Sequence, residues 1–333
     1  MASQGVRRRR YAVNGIELDV IEAGDPAAPP VILSHGFPEA AYSWRHQMVA
    51  LADAGYHVLA PDQRGYGRSS RPAAVHEYGI VELTGDLLGL LDTTGHERAV
   101  FVGHDWGALI VWDVARLHPE RVRAVVGVSV PFVAWPGRPT ELMKMLFGDR
   151  FFYILYFQPV GPAEAELGRD PRRTMAGVLW SASGHGWAGP GTVQGELPPM
   201  EGTGFLTRMP EPPPLPYGGP EGPWLTEDDL DVYTEAFTAS GFFGPVSYYR
   251  NLDANFELVK DLSPDRLTMP SYFIGGTMDP VLAMDPNGVE RMENLLAGFR
   301  GAALLDGAGH WTQQEAPHAF NDALIGFLGT LEP

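Results

Sequence analysis

Val102-Gly103-His104-Asp105-Trp106-Gly107-Ala108 is the stretch that decides the fold. The apolar run Ala99-Val100-Phe101-Val102 leads into it and reads as a short buried strand. The run from Leu109-Ile110-Val111-Trp112 to Leu117 leads out with helical periodicity. Between them Gly103 and Gly107 bracket a turn so tight that the central side chain is held in strained backbone geometry above the sheet. That side chain is a carboxylate, Asp105. A plainer reading makes Asp105 the N-cap of the following helix, a common use of aspartate. The rest of the chain weighs against it.

The 333 residues, 44% of them hydrophobic, are enough to bury a full core. No apolar run approaches the ~20 residues that span a bilayer, so no membrane partner is expected. With 24 basic against 41 acidic residues the formal charge is −17, which opposes nucleic acid or an anionic membrane as partner. The chain has no cysteine, which removes disulfides, thiolate nucleophiles and zinc–thiolate sites. The histidines show no metal-ligand spacing, and no cofactor or metal is expected. Met1 to Val6 lack the apolar core of a secretory signal, so a cytoplasmic protein is expected. The basic run Arg7 to Arg10 reads as a solvated strand edge.

Arg9–Asn14 and Ile16–Ala23 read as a hairpin with Asn14-Gly15 as its turn. Val31–Ser34 is a strand ending at His35-Gly36-Phe37-Pro38-Glu39; Tyr42–Ala54 is helical; His57–Ala60 is a strand. In the loop after it, Asp62 and Arg64 read as a local ion pair that shapes the backbone. Val81–Leu91 reads as an amphipathic helix with Glu82 and Asp86 on its polar side, and Val122–Val130 as an apolar buried strand. The alternation predicts a doubly wound α/β sheet. It breaks after Pro131. Met143–Phe157, Ala163–Glu166 and Pro171–Leu179 read as helices, and a Pro/Gly tract from Gly184 to Pro223 is either disordered or a lid loop. Thr226 with Asp229 resembles a capping box. Alternation returns with strand Ser271–Ile274, helix Val289–Leu296, strand Ala302–Leu305 and helix His318–Leu328. The expected division is a core of residues 1–131 and 265–333, with 132–264 inserted as a helical cap.

Asp105, Asp279 and His310 each follow a predicted strand, in that order. Together with the glycine-bracketed turn, this resembles the α/β-hydrolase fold, whose triad runs nucleophile, acid, base. The fold implies Asp279 as the acid that orients His310. It also implies the backbone N–H groups of Phe37 and Trp106 as an oxyanion hole; His35 itself reads as structural. Asp306 precedes a Gly-Ala-Gly loop and reads as pointing away.

Aspartate is ionised at neutral pH without help, its reference pKa being about 3.9. A carboxylate suits displacement at a saturated carbon, giving an alkyl ester that a histidine-activated water then hydrolyses. Two leaving groups fit. Halide leaves already stable; an epoxide oxygen leaves as a basic alkoxide and needs an acid. Phe151–Gln158 and Ser247–Asn251 each carry tyrosines that could donate, although aromatic pairs such as these are more often core.

The motifs His-Gly-Phe-Pro-Glu at 35–39, Gly-His-Asp-Trp-Gly at 103–107, Tyr-Ile-Leu-Tyr-Phe-Gln at 153–158, Tyr-Arg-Asn at 249–251 and Gly-His-Trp at 309–311 span most of the chain. They resemble the α/β-hydrolase epoxide hydrolases, in particular the bacterial single-function members. The resemblance implies Asp105 as nucleophile, His310 as base, Asp279 as its partner, and Tyr153 and Tyr249 as the pair that binds and protonates the epoxide oxygen. The substrate it implies is a small hydrophobic epoxide. A haloalkane dehalogenase-like hydrolase and a non-catalytic ligand-binding protein of the same fold stand as alternatives. A homodimer is compatible with the sequence.

Overall fold

The computed structural model describes residues 5–187 and 197–332. Its main sheet is built from β1 (Arg7–Val13), β2 (Ile16–Ala23), β3 (Pro30–Ser34), β4 (His57–Pro61), β5 (Ala99–His104) and β6 (Val122–Val128), with two later strands, described below, completing one side. β1 and β2 form the expected hairpin: Asn14 and Gly15 both have positive φ, 45° and 76°, the geometry whose twist matches that of paired strands.

The insertion after β6 contributes a second, two-stranded sheet, β7 (Tyr217–Gly219) with β8 (Gly222–Leu225). β9 (Ser271–Gly276) and β10 (Phe299–Leu305) then return to the main sheet, whose order is β1-β2-β4-β3-β5-β6-β9-β10. Pairings from β4 through β10 are parallel, and those of β2 antiparallel.

Before the insertion the helices are α1 (Arg45–Asp53), α2 (Ile80–Thr93) and α3 (Trp106–Leu117). Within it come α4 (Pro139–Phe147), α5 (Tyr153–Tyr156), α6 (Pro162–Leu167), α7 (Pro171–Ser181), α8 (Glu227–Ser240), α9 (Phe243–Arg250) and α10 (Leu252–Val259). After it come α11 (Pro280–Met284), α12 (Gly288–Leu295), α13 (Thr312–Glu315) and α14 (Pro317–Leu328). Among the described residues no helix is long and apolar enough to cross a membrane.

The central strands are apolar on both faces because both are covered. Val31, Leu33, Val100, Val102, Ala124 and Val126 pack with Met48 and Leu51 of α1 and Phe320 and Leu324 of α14. Alternate residues Ile32, Phe101 and Val125 point the other way, onto α2 and α3. That second core continues into the insertion through Phe157, Leu167, Tyr233 and Tyr248. Polar ties hold the insertion over the sheet: Tyr42 Oη donates to Asp229 at 2.8 Å, Tyr233 and Ser43 share a hydroxyl bond of 2.8 Å, and Tyr248 Oη donates to Arg64 O at 2.9 Å.

The basic run is the exposed edge strand, as expected. Arg7 and Arg8 reach across to Glu22 and Asp19 at 2.6 and 2.9 Å. Burial alone would raise the Glu22 carboxyl, but bonds from Arg7, His57 and Tyr11 outweigh it and hold it down to about 2.

Three expectations need correction. Arg64 does not pair with Asp62. It crosses to Asp86 on α2, with Nε and Nη2 each 2.6 Å from the carboxylate, while Asp62 accepts the Ala41 N–H at 2.8 Å. Asp86 therefore faces inward, 3% exposed, instead of lying on the polar side of its helix. A buried carboxylate needs a cation more than it needs a sequence neighbour. Lastly, Met143–Phe157 is not one helix: Gly148 at φ 59° ends α4, and α5 starts afresh at Tyr153. In the Pro/Gly tract, residues 188–196 lie outside the described residues; beyond them the chain includes a turn of 3₁₀ helix, Leu206–Arg208, and the β7–β8 hairpin.

Candidate active site

Asp105 sits between β5 and α3 with φ 51° and ψ −118°, a conformation an L side chain rarely adopts. The flanking glycines are obligatory. A Cβ on Gly103 would lie 2.0 Å from Gly107 O, and one on Gly107 would lie 2.0 Å from Ser34 O. The carboxylate does not cap its own helix. Instead Oδ1 accepts the backbone N–H of Phe37 at 2.7 Å. The loop comes this close because residue 36 is glycine; a Cβ there would sit 2.5 Å from that oxygen. Trp106 opens α3, its indole edge-on to the Tyr249 ring at 5.0 Å. His35 is wholly buried and accepts the Gln63 N–H at 3.1 Å.

His310 arrives from the loop after β10, and Asp279 from the loop after β9, where it caps α11. His310 Nδ1 lies 3.1 and 3.2 Å from the two Asp279 oxygens, and Nε2 lies 3.6 Å from Asp105 Oδ2. Asp279 is fixed in turn by the Val281 N–H, 2.8 Å away. Burial would lower the imidazole pKa, but Asp279 on one side and Asp105 on the other outweigh it and hold the ring well above its usual range. Asp306, the competing acid, is exposed, and its carboxylate accepts from the Thr277 hydroxyl at 3.4 Å.

Two phenols face the carboxylate from the insertion. Tyr153 on α5 and Tyr249 on α9 have ring centroids 5.8 Å apart, nearly perpendicular. Burial, followed by the Asp105 charge, pushes both phenols above their ordinary range, so they stay protonated at neutral pH. The other tyrosines in these segments are occupied: Tyr156 donates to Glu166 at 2.8 Å, and Tyr248 is tied to Arg64. Phe37, Asp105, Tyr153, Tyr249, His310 and Trp311 line one cavity of about 420 Å³. Its remaining walls are largely apolar, from Val178, Phe205, Met209, Val281 and Met284.

The sequence reading missed the buried acids that brace these loops. Glu39 accepts the Gly36 N–H at 3.1 Å and lies 2.5 Å from His104 Nδ1; His104 Nε2 is 2.7 Å from His310 O. Burial would raise the Glu39 carboxyl, but His104 beside it holds it down to about 2. The Phe37 loop and the His310 loop thus share one polar strut. Glu315 is a second such acid. In sequence, Thr312-Gln313-Gln314-Glu315 looks solvated, yet all four are buried; polarity alone carries no sign of inward hydrogen bonding.

Residues 29–151 match the α/β-hydrolase fold family. Over 329 residues the chain is 50% identical to epoxide hydrolase A of Mycobacterium tuberculosis strain H37Rv, covering 97% of this chain and 98% of that protein. It is 40% identical to epoxide hydrolase B of the same organism, over 93% and 94% of the two chains. The crystal structure of epoxide hydrolase A from Mycobacterium thermoresistibile superposes with a TM-score of 0.89 at 49% identity, covering 98% of this chain and 99% of that one. An epoxide hydrolase from an endophytic Streptomyces gives 0.89 at 38% identity, covering 98% and 96%.

Proposed function

The chain belongs to the epoxide hydrolases of the α/β-hydrolase fold, and from that premise we propose that it opens its substrate on Asp105 and hydrolyses the resulting ester with His310. The observation that carries this is the convergence in one cavity of a carboxylate, an imidazole and two protonated phenols. Residues 132–264 act as the lid that supplies the phenols. The apolar walls favour a small hydrophobic epoxide.

In the first step an Asp105 oxygen attacks an epoxide carbon. The C–O bond breaks, and Tyr153 or Tyr249 gives its proton to the freed oxygen. In the second, His310 Nε2 takes a proton from water, which adds to the ester carbonyl carbon. The Phe37 and Trp106 N–H groups receive the oxyanion, each worth roughly 10²–10³ in rate. Collapse releases the diol; His310 returns its proton to the leaving oxygen, and the acid proton left on Asp105 restores the phenol.

Charge orders the two steps. While Asp105 is ionised, it helps to hold His310 protonated. Esterification removes that charge, the imidazole pKa falls and its proton passes to solvent, so the base is available when a base is needed; a proton returns to the ring from solvent once Asp105 is ionised again.

A single turnover in ¹⁸O-enriched water tests the route. Water oxygen should enter the Asp105 carboxyl and be absent from the first diol, because the oxygen left on substrate comes from Asp105. Label in the first diol would mean direct attack of water on the ring.

Tyr153→Phe or Tyr249→Phe should each slow ester formation by roughly 10²-fold without abolishing it, since the other phenol remains. Rapid-quench measurement of ester formation checks this; an unchanged rate in both variants removes the tyrosines from the chemistry.

A further inference from the structure

Glu315 takes no part in the steps above, and its burial is costly. It ends α13, five residues beyond His310, with its side chain wholly enclosed. Three backbone N–H groups converge on its carboxylate: Gly184 at 2.8 Å and Gly309 at 3.1 Å on Oε2, and Trp311 at 3.1 Å on Oε1. Gly309 and Trp311 are the residues on either side of His310. Gly184 belongs to the turn that follows α7 in the insertion.

The same turn and the last turn of α7 grip the loop elsewhere. The His310 N–H donates to Ala182 O at 2.9 Å, and Trp311 Nε1 donates to Leu179 O at 2.7 Å. The two backbones touch: a Cβ on Gly309 would lie 2.2 Å from Gly184 N. Burial pushes the Glu315 carboxyl up to about 7 even though the N–H bonds pull it down. A group whose desolvation is so incompletely offset contributes little stability. What it does supply is geometry, because two oxygens can bind three donors from two separate segments.

We propose that Glu315 is a positioning residue for the base: its carboxylate clamps the backbone on both sides of His310 to the Ala182–Gly184 turn of the lid, so that ester hydrolysis depends on it and ring opening does not. This rests on the Asp105–His310 route given above. Asp105 attacks without a base, so a misplaced imidazole leaves the first step intact. Water activation needs Nε2 in register with the ester carbon while Nδ1 stays on Asp279, and a shift of about 1 Å at such a centre costs on the order of 10²-fold. The lid would thereby set the base as well as the phenols.

The test is a single-turnover comparison with styrene oxide, following ester formation and decay separately in the wild-type protein and in Glu315→Gln. The amide places an NH₂ against backbone N–H groups and loses at least one of the three bonds. Ester decay should slow by about 10–100-fold while formation stays within about threefold. Glu315→Asp, which keeps the charge on a shorter arm, should fall between; it carries the test if the glutamine variant does not fold. Equal slowing of both steps, or no change in either, overturns the proposal. Absence of any ester in the wild type overturns the Asp105 route itself, and the wild-type trace reports that separately from the ratio in the variants.

Discussion

Replacing His310 with alanine should leave a protein that reacts once and then stops. In the proposed route Asp105 is the nucleophile; its Oδ1 accepts the Phe37 N–H, and the two phenols proposed to protonate the freed oxygen line the same cavity. None of these groups needs the imidazole. The second step does, because water is a poor nucleophile toward an ester until a proton is drawn from it. General-base catalysis is worth roughly 10²–10⁴, and turnover should fall by a factor in that range. Intact-protein mass spectrometry after mixing with excess epoxide should show one substrate mass added, mapped by peptide digestion to Asp105. In the wild type, ester decay should slow on the acid side, where the imidazole is protonated, and His310→Ala should lose that limb. A variant that stays unmodified while the wild type turns over would exclude His310 as the base.

The second large effect is at the nucleophile. Asp105→Ala and Asp105→Gly should both lose turnover by about 10⁵–10⁶ and form no ester. They should differ in stability. Asp105 sits at φ 51°, where an L residue is strained and glycine is not. Both variants lack the carboxylate, so the comparison isolates the backbone, and the glycine variant should be more stable by about 1 kcal/mol. Thermal unfolding by circular dichroism measures the difference. Turnover well above that residual level, or any ester in either variant, would sink Asp105 as nucleophile; equal unfolding temperatures would mean that the turn is relaxed. The strain belongs to function, since a relaxed residue would not hold its side chain against the Phe37 N–H.

How much of the fold and site was legible in the sequence depended on the kind of constraint. The turn around Asp105 was readable because it is steric: at positions 103 and 107 the neighbouring backbone leaves no room for a side chain. The hairpin at Asn14-Gly15 and the cap of α8 by Thr226 were readable because they too are local, the first set by positive φ and the second by hydrogen bonds within four residues. Tyr153 and Tyr249 were a different matter. Among so many aromatic residues, only the resemblance separated them from Tyr156 and Tyr248, whose hydroxyls point elsewhere. Arg64 was placed with the wrong partner because its true one, Asp86, lies on another element. Glu39, His104 and Glu315 were missed because what makes them matter is burial, which a polar sequence conceals.

The path of the chain through the sheet has a consequence for biogenesis. β6 is followed by the whole insertion before β9 pairs with it, and only then do Asp279 and His310 exist as neighbours of Asp105. A ribosome making this protein would complete the nucleophile half first and leave the β6 edge open until the entire lid had been translated. Unpaired parallel strands are slow to find their partners and prone to association. Truncation anywhere before β9 should therefore yield insoluble product, not a weakly active fragment.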